Sequence, residues 1–172
     1  MNRICIWLLA AASAVCLCML PRTGTDAAKL LPAQVLVIGA GDGAVTVEAD
    51  NGAAGSGPTL AAALADMAEC AEGTLFLDTA EHIVLLRPSQ ALLEQTITQP
   101  SFRPAAKLYV SRAEELDVSR AEELDASALV ELLRAHPGKL TLSQARAALL
   151  RGEPLRPAVL KLSEEGGVML GE

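Results

Sequence analysis

Seventeen consecutive residues without a charge, Ile4–Leu20, stand behind Asn2-Arg3 and end at Pro21-Arg22. A run of this kind does not join an ordinary water-soluble core; it enters the secretion machinery or a bilayer. It exceeds a signal-peptide core of about 7–15 residues and falls short of a spanning helix of about 20. Residues 1–28 therefore read as a signal peptide or a membrane anchor. Arg3 and the amine ahead of it hold the N-terminus in the cytoplasm. Thr25-Asp26-Ala27 is a loose small-x-small cleavage site. Cleaved or retained, the leader places residues 29–172 outside the cytoplasm.

Roughly 145 residues remain beyond the leader, one ordinary domain with enough chain to bury a core. The formal charge of −7 and pI near 4.9 argue against a nucleic-acid partner, which requires a basic stripe to displace counterions. Aromatic residues are 2% of the chain, too few to build stacking platforms for bases or sugars. Cys5, Cys16 and Cys18 lie in the apolar leader, which leaves Cys70 alone in the exported part and excludes an internal disulfide there. Cys16 and Cys18 are the candidate lipidation sites. A lipobox wants a small residue before the modified Cys, and Val15 and Leu17 stand there instead.

The patterning beyond the leader alternates between strand and helix. Gln34–Ile38 is apolar and β-branched, and Val45–Glu48 alternates with period two, so the glycine-rich segment 39–44 reads as the turn of a hairpin. Asn51–Pro58 reads as a Gly/Ala/Ser loop. Thr59 caps a helix whose Leu60, Leu64, Met67 and Ala71 form one stripe, with Cys70 half-buried at its edge. Thr74–Leu77 and His82–Leu86, around Asp78–Glu81, read as the next extended segment. Ser89 caps a short helix from Gln90 to about Ile97, and Lys107–Val110 is a strand. Ala128–His136 is helical and stops at Pro137-Gly138. Thr141-x-x-Gln144 is a capping box for a last helix that ends at Gly152, and Val159–Leu162 with Val168–Leu170 makes a closing hairpin. These elements predict a single α+β domain with a mixed sheet flanked by helices.

Val110–Asp117 (VSRAEELD) recurs unchanged as Val118–Asp125, a duplication over residues 110–125. Each copy has its own capping box, Ser111-x-x-Glu114 and Ser119-x-x-Glu122. Eight helical residues leave an offset of about 80° from whole turns, so Leu116 and Leu124 cannot share one buried stripe. A coding duplication tolerated in a surface segment accounts for it.

Three motifs invite chemistry. Gly39-x-Gly41-x-x-Ala44 matches a dinucleotide fingerprint on paper, but a strand pattern follows where the pyrophosphate needs a helix N-terminus. Gly52–Thr59 resembles a phosphate loop with Pro58 in place of the lysine, so the γ-phosphate has no cationic partner. Neither predicts a nucleotide. His82 stands beside Glu81 and near Asp78, the one place where a base and carboxylates adjoin, and His136 sits at a helix end. No exported Ser or Cys has a recognisable nucleophile context, and two distant histidines make no metal signature. The expectation is no catalytic, cofactor or metal residue. A small exported hydrolase working at Asp78–His82 is the alternative from another class, and a stand-alone exported domain without a receptor partner is a third.

In their order, QVLVIG, GPTLAAALADM, TLFLDTAEHIVLLRPSQALLEQ, FRPAAKLYVSRAEEL and LTLSQARAALLRGEPLRPAVLKLSEEGGVMLGE resemble the N-terminal domain of the Ger(x)C family, the C subunit of bacterial spore germinant receptors. The similarity runs from about Gln34 to Glu172. That family is usually anchored by lipid at a Cys followed by Trp-Asp, whereas Met19-Leu20 follow Cys18 here. The usual full-length subunit carries two further domains, so the resemblance is to a truncated form. It implies a non-enzymatic protein of a spore-forming bacterium, on the outer face of the cytoplasmic (spore inner) membrane, acting in spore germination beside membrane-embedded receptor subunits.

Overall fold

The computed structural model describes residues 29–41, 43–111, 126–162 and 168–171. The leader, with Cys16 and Cys18, lies outside these residues, as does the octapeptide duplication apart from Val110 and Ser111. Among the described residues no helix is long and apolar enough to cross a membrane.

The first elements are strands β1 (Leu30–Pro32), β2 (Val35–Gly41), β3 (Ala44–Ala49) and β4 (Ala54–Gly57). Helix α1 (Leu60–Cys70), β5 (Thr74–Phe76), a 3-10 turn (Leu77–Thr79) and β6 (His82–Leu86) follow. Next come α2 (Gln90–Thr98), β7 (Lys107–Ser111), α3 (Ala126–Ala135), α4 (Leu142–Arg151), β8 (Ala158–Leu162) and β9 (Val168–Gly171). Among the described residues seven strands form one mixed sheet in the order β4-β3-β2-β6-β7-β8-β9. The contiguous strands β2, β6, β7 and β8 run parallel, while β3, β4 and β9 are antiparallel to their neighbours. A separate pair, β1 with β5, is parallel. The chain is thus a single α+β domain with a mixed sheet flanked, among the described residues, by four helices, as its patterning predicts.

The parallel strands explain their own sequence. Val35, Leu36, Val37 and Ile38 are all buried because both faces of β2 are covered, so the run shows no polar alternation. On one face Leu36, Ile38, Ile83, Leu85 and Leu108 pack under α1, α2 and α4. On the other, Val35, Val37, Val84, Tyr109 and Leu160 pack with Leu129 and Leu133 of α3.

The local signals at the helix ends hold. The Thr59 hydroxyl accepts from Ala62 N–H, and Ser89 Oγ accepts from Leu92 N–H. At α4, Thr141 accepts from Gln144 N–H while Gln144 Oε1 accepts from Thr141 N–H, a reciprocal capping box. Gly152 closes α4 at φ +67. Arg146 of α4 donates to the carbonyls of Ile97 and Gln99 (2.5 and 2.8 Å), placing a cation on the free carbonyls that end α2.

Several expectations are corrected. Residues 51–58 are not wholly a loop, since Ala54–Gly57 pair with β3 as an edge strand. A Cβ at Gly55 would land on the backbone of Met67 and Ala63, so only glycine lets α1 lie directly on this strand. Thr74–Phe76 and His82–Leu86 are not one segment; the 3-10 turn between them sends β5 to the small sheet and β6 to the large one. Cys70 is exposed rather than half-buried. Ser111 is the last residue of β7 and is buried, so the first copy of the duplication begins inside the sheet.

Candidate functional site

Strands β6 and β7 start side by side, with His82 opposite Lys107 in the register. Their amino ends lie beside Gln34, whose carbonyl accepts from the N–H groups of Glu81 (2.8 Å) and His82 (3.1 Å). The next bond outward runs from Lys107 N–H to Glu81 O at 2.7 Å. This rigid edge turns the His82 ring inward, onto the α3 side of the sheet, where it is 6% exposed.

Tyr109, two residues into β7, points to the same side and is fully buried. Its hydroxyl lies 3.0 Å from His82 Nδ1 and accepts from Gly138 N–H at 2.8 Å. The ring centroids of His82 and Tyr109 are 5.7 Å apart and tilted by 48°. Gly138 belongs to the link between α3 and α4. A Cβ there would come within 2.9 Å of the Tyr109 ring, so glycine is needed for close approach and not only to stop a helix.

The electrostatics follow from this burial. Desolvation pushes His82 below the ordinary histidine range, against the pull of Glu81; Arg134 and Lys107 add to the lowering. Burial likewise raises the Tyr109 phenol, with the Gly138 N–H bond acting in the opposite direction. His82 is thereby neutral and Tyr109 protonated at neutral pH. Arg134 is held at this edge by its bond to Gln34 Oε1 (2.7 Å) and an exposed pair with Glu131 at 3.2 Å.

Of the three residues that suggested an acid–base site, only His82 faces the interior. Asp78 lies in the 3-10 turn and is exposed, and Glu81 is exposed at the sheet edge. Neither is hydrogen-bonded to His82, whose side-chain partner among the described residues is Tyr109. The neighbour in sequence is therefore not the neighbour in chemistry. Tyr109 is not among the residues expected from sequence; the signal that could have found it is a lone tyrosine between Leu108 and Val110 in a predicted strand, since a buried phenol requires a partner for its hydroxyl. His136 is exposed at the end of α3.

The two glycine motifs fold as structural elements. Gly39 and Gly41 lie in β2, Gly41 pairs with Ala44, and Gly43 takes φ +79, a hairpin turn with a strand after it. In the second, Ser56 N–H donates to Asp66 Oδ2 at 2.8 Å, which puts a carboxylate where a phosphate would have to sit. Among the described residues no three His, Cys, Asp or Glu side chains gather as metal ligands. No family model matches the chain, and none of the curated proteins or solved structures compared with it matches either.

Proposed function

We propose that this protein is a non-enzymatic, exported and membrane-associated module, related to the first domain of Ger(x)C subunits, that acts in the assembly of a spore germinant receptor. The observation that carries the non-enzymatic part is the engagement of His82. Its Nδ1 is taken by Tyr109, and no Ser, Cys or Thr hydroxyl or thiol among the described residues is bonded to it as a nucleophile would be. The order of elements supports the family part. The QVLVIG run is a strand, GPTLAAALADM enters a Thr-capped helix, and the closing segment is a capped helix followed by a hairpin. Ile4–Leu20 supports retention at the membrane.

The test is made in a spore-forming host. Deletion of the gene should slow nutrient-triggered germination, and the full chain should pellet with membranes while remaining open to protease added outside. Turnover of a generic ester or phosphate substrate that disappears in His82→Ala would replace this reading with an exported hydrolase. Recovery chiefly as a soluble form beginning near Ala28, with germination unaffected by the deletion, would make it a stand-alone exported domain.

A further inference from the structure

We propose that His82, Tyr109 and Gly138 form a proton-sensitive latch, which holds the α3–α4 link against the amino edge of the sheet while His82 is neutral and releases it when His82 takes up a proton. The geometry sets the direction of each bond. Gly138 N–H donates to the phenol oxygen, so the one phenol proton is left for His82 Nδ1, the acceptor within reach at 3.0 Å. Nδ1 must then be unprotonated, and the neutral imidazole carries its proton on Nε2. Protonation turns Nδ1 into a donor. Two donors, Gly138 N–H and Nδ1–H, then converge on the phenol oxygen, and the phenol proton loses its acceptor inside the protein. The chain also gains a buried charge, which is costly unless paired.

The groups around the imidazole weigh against pairing. Just ahead of β6, Glu81 favours the proton but is exposed; from β7 and α3, Lys107 and Arg134 oppose it. On the β2 side, Asp50 is occupied in accepting from the N–H groups of Gln34 and Val35. The link that carries Gly138 adds His136 and Lys139, both exposed. Gly138 lies three residues past the end of α3, and α3 rests on the sheet through Leu129 and Leu133 in an apolar cluster. The far half of the link stays on the sheet, since Leu140 O accepts from Leu108 N–H (3.0 Å) and Leu142 N–H donates to Ala106 O (2.9 Å), so freeing Gly138 loosens the α3 end first. This latch does not depend on the germination reading; an exported domain of any function would have it.

The sign is that of a histidine lowered in the folded state. The latch is closed above the ordinary histidine value of 6.5 and weakens as pH falls from there towards the lower folded value. Hydrogen exchange of the Gly138 amide, measured on the full chain in detergent from pH 7.5 to 5.5 and corrected for intrinsic rates, reads the opening directly. The opening constant should be flat above about 6.5 and rise by up to about tenfold per pH unit below it. It should be nearly flat in His82→Gln, and His136→Gln should behave as wild type. Equal pH dependence in wild type and His82→Gln would overturn the latch. Nitrogen shifts of His82 in the unmodified protein give a check that needs no folded variant. Nε2–H at pH 7.5 is expected, and Nδ1–H would overturn the proposal as well.

Discussion

The two faces of the sheet are built on different principles. Under α1, α2 and α4, nineteen buried apolar residues form one cluster among the described residues, reinforced by side-chain caps at all three helices. On the α3 side the described cluster includes Tyr109, whose hydroxyl is committed to His82 and Gly138. The first face is held by area, which is non-directional and tolerant of small shifts. The second depends on a few directional bonds that are costly to leave unmade. The same strands supply both: Leu36 and Ile38 look one way, Val35 and Val37 the other. The face that depends on directional bonds should open first.

Paired truncations test this most severely. Met67→Ala and Leu133→Ala each remove a fully buried side chain and should each cost about 2–5 kcal/mol. They should differ in reach. Met67→Ala should lower hydrogen-exchange protection throughout the large sheet, whereas Leu133→Ala should expose α3 and the Gly138 link while β2 and β6 stay protected. If Leu133→Ala lowers protection of α1 as much as of α3, the layers are one cooperative unit and the contrast fails.

A smaller effect is expected where the larger face is tightest. Gly55→Ala forces a methyl onto the backbone of α1 and should cost about 1–3 kcal/mol by urea titration. A neutral outcome would mean that α1 can lift from β4, making this face more pliable than its burial implies.

That contact also shows what the sequence could not display. The hairpin of β2 and β3, the Thr59, Ser89 and Thr141 caps and the β8–β9 hairpin were legible because each is written in neighbouring residues. Residues 54–57, Ala-Gly-Ser-Gly, look like a loop because their strand exists only through β3 on one side and α1 above. Strand β1 and the division of β5 from β6 rest on pairing across more than forty residues, between Leu30 and Thr74. At the candidate site His82 was legible as an unusual residue, but its partners were not. Glu81 adjoins it in the chain and turns outward, while Tyr109 and Gly138 reach it from 27 and 56 positions away.

The latch predicts a pH-dependent difference between the faces. Tyr109→Phe leaves His82 Nδ1 and Gly138 N–H without their partner and should cost about 1–3 kcal/mol at pH 7.5. His82 is lowered in the folded state, so its bond to Tyr109 contributes in full above 6.5 and is lost as pH falls towards its folded value. The gap in stability between wild type and Tyr109→Phe should therefore be widest at pH 7.5 and narrow towards pH 5.5. A constant gap would show that the phenol packs but does not sense the proton.

The smallest effect is expected from the pair that looks strongest by distance. Arg151 Nε and Nη2 meet Glu153 Oε1 and Oε2 at 2.7 and 2.8 Å, a bidentate geometry just past the end of α4. The bonds with Arg151 hold the Glu153 carboxyl below its usual range, and the same bonds raise Arg151. Yet both side chains stand in water, where the attraction is screened and two long side chains must be ordered to make it. Glu153→Gln should leave the melting temperature within experimental error at moderate salt. A clear loss would mean that the solvated pair after α4 matters as much as the buried one beside α3. Burial, rather than bond length, would then no longer separate the polar contacts of the two faces.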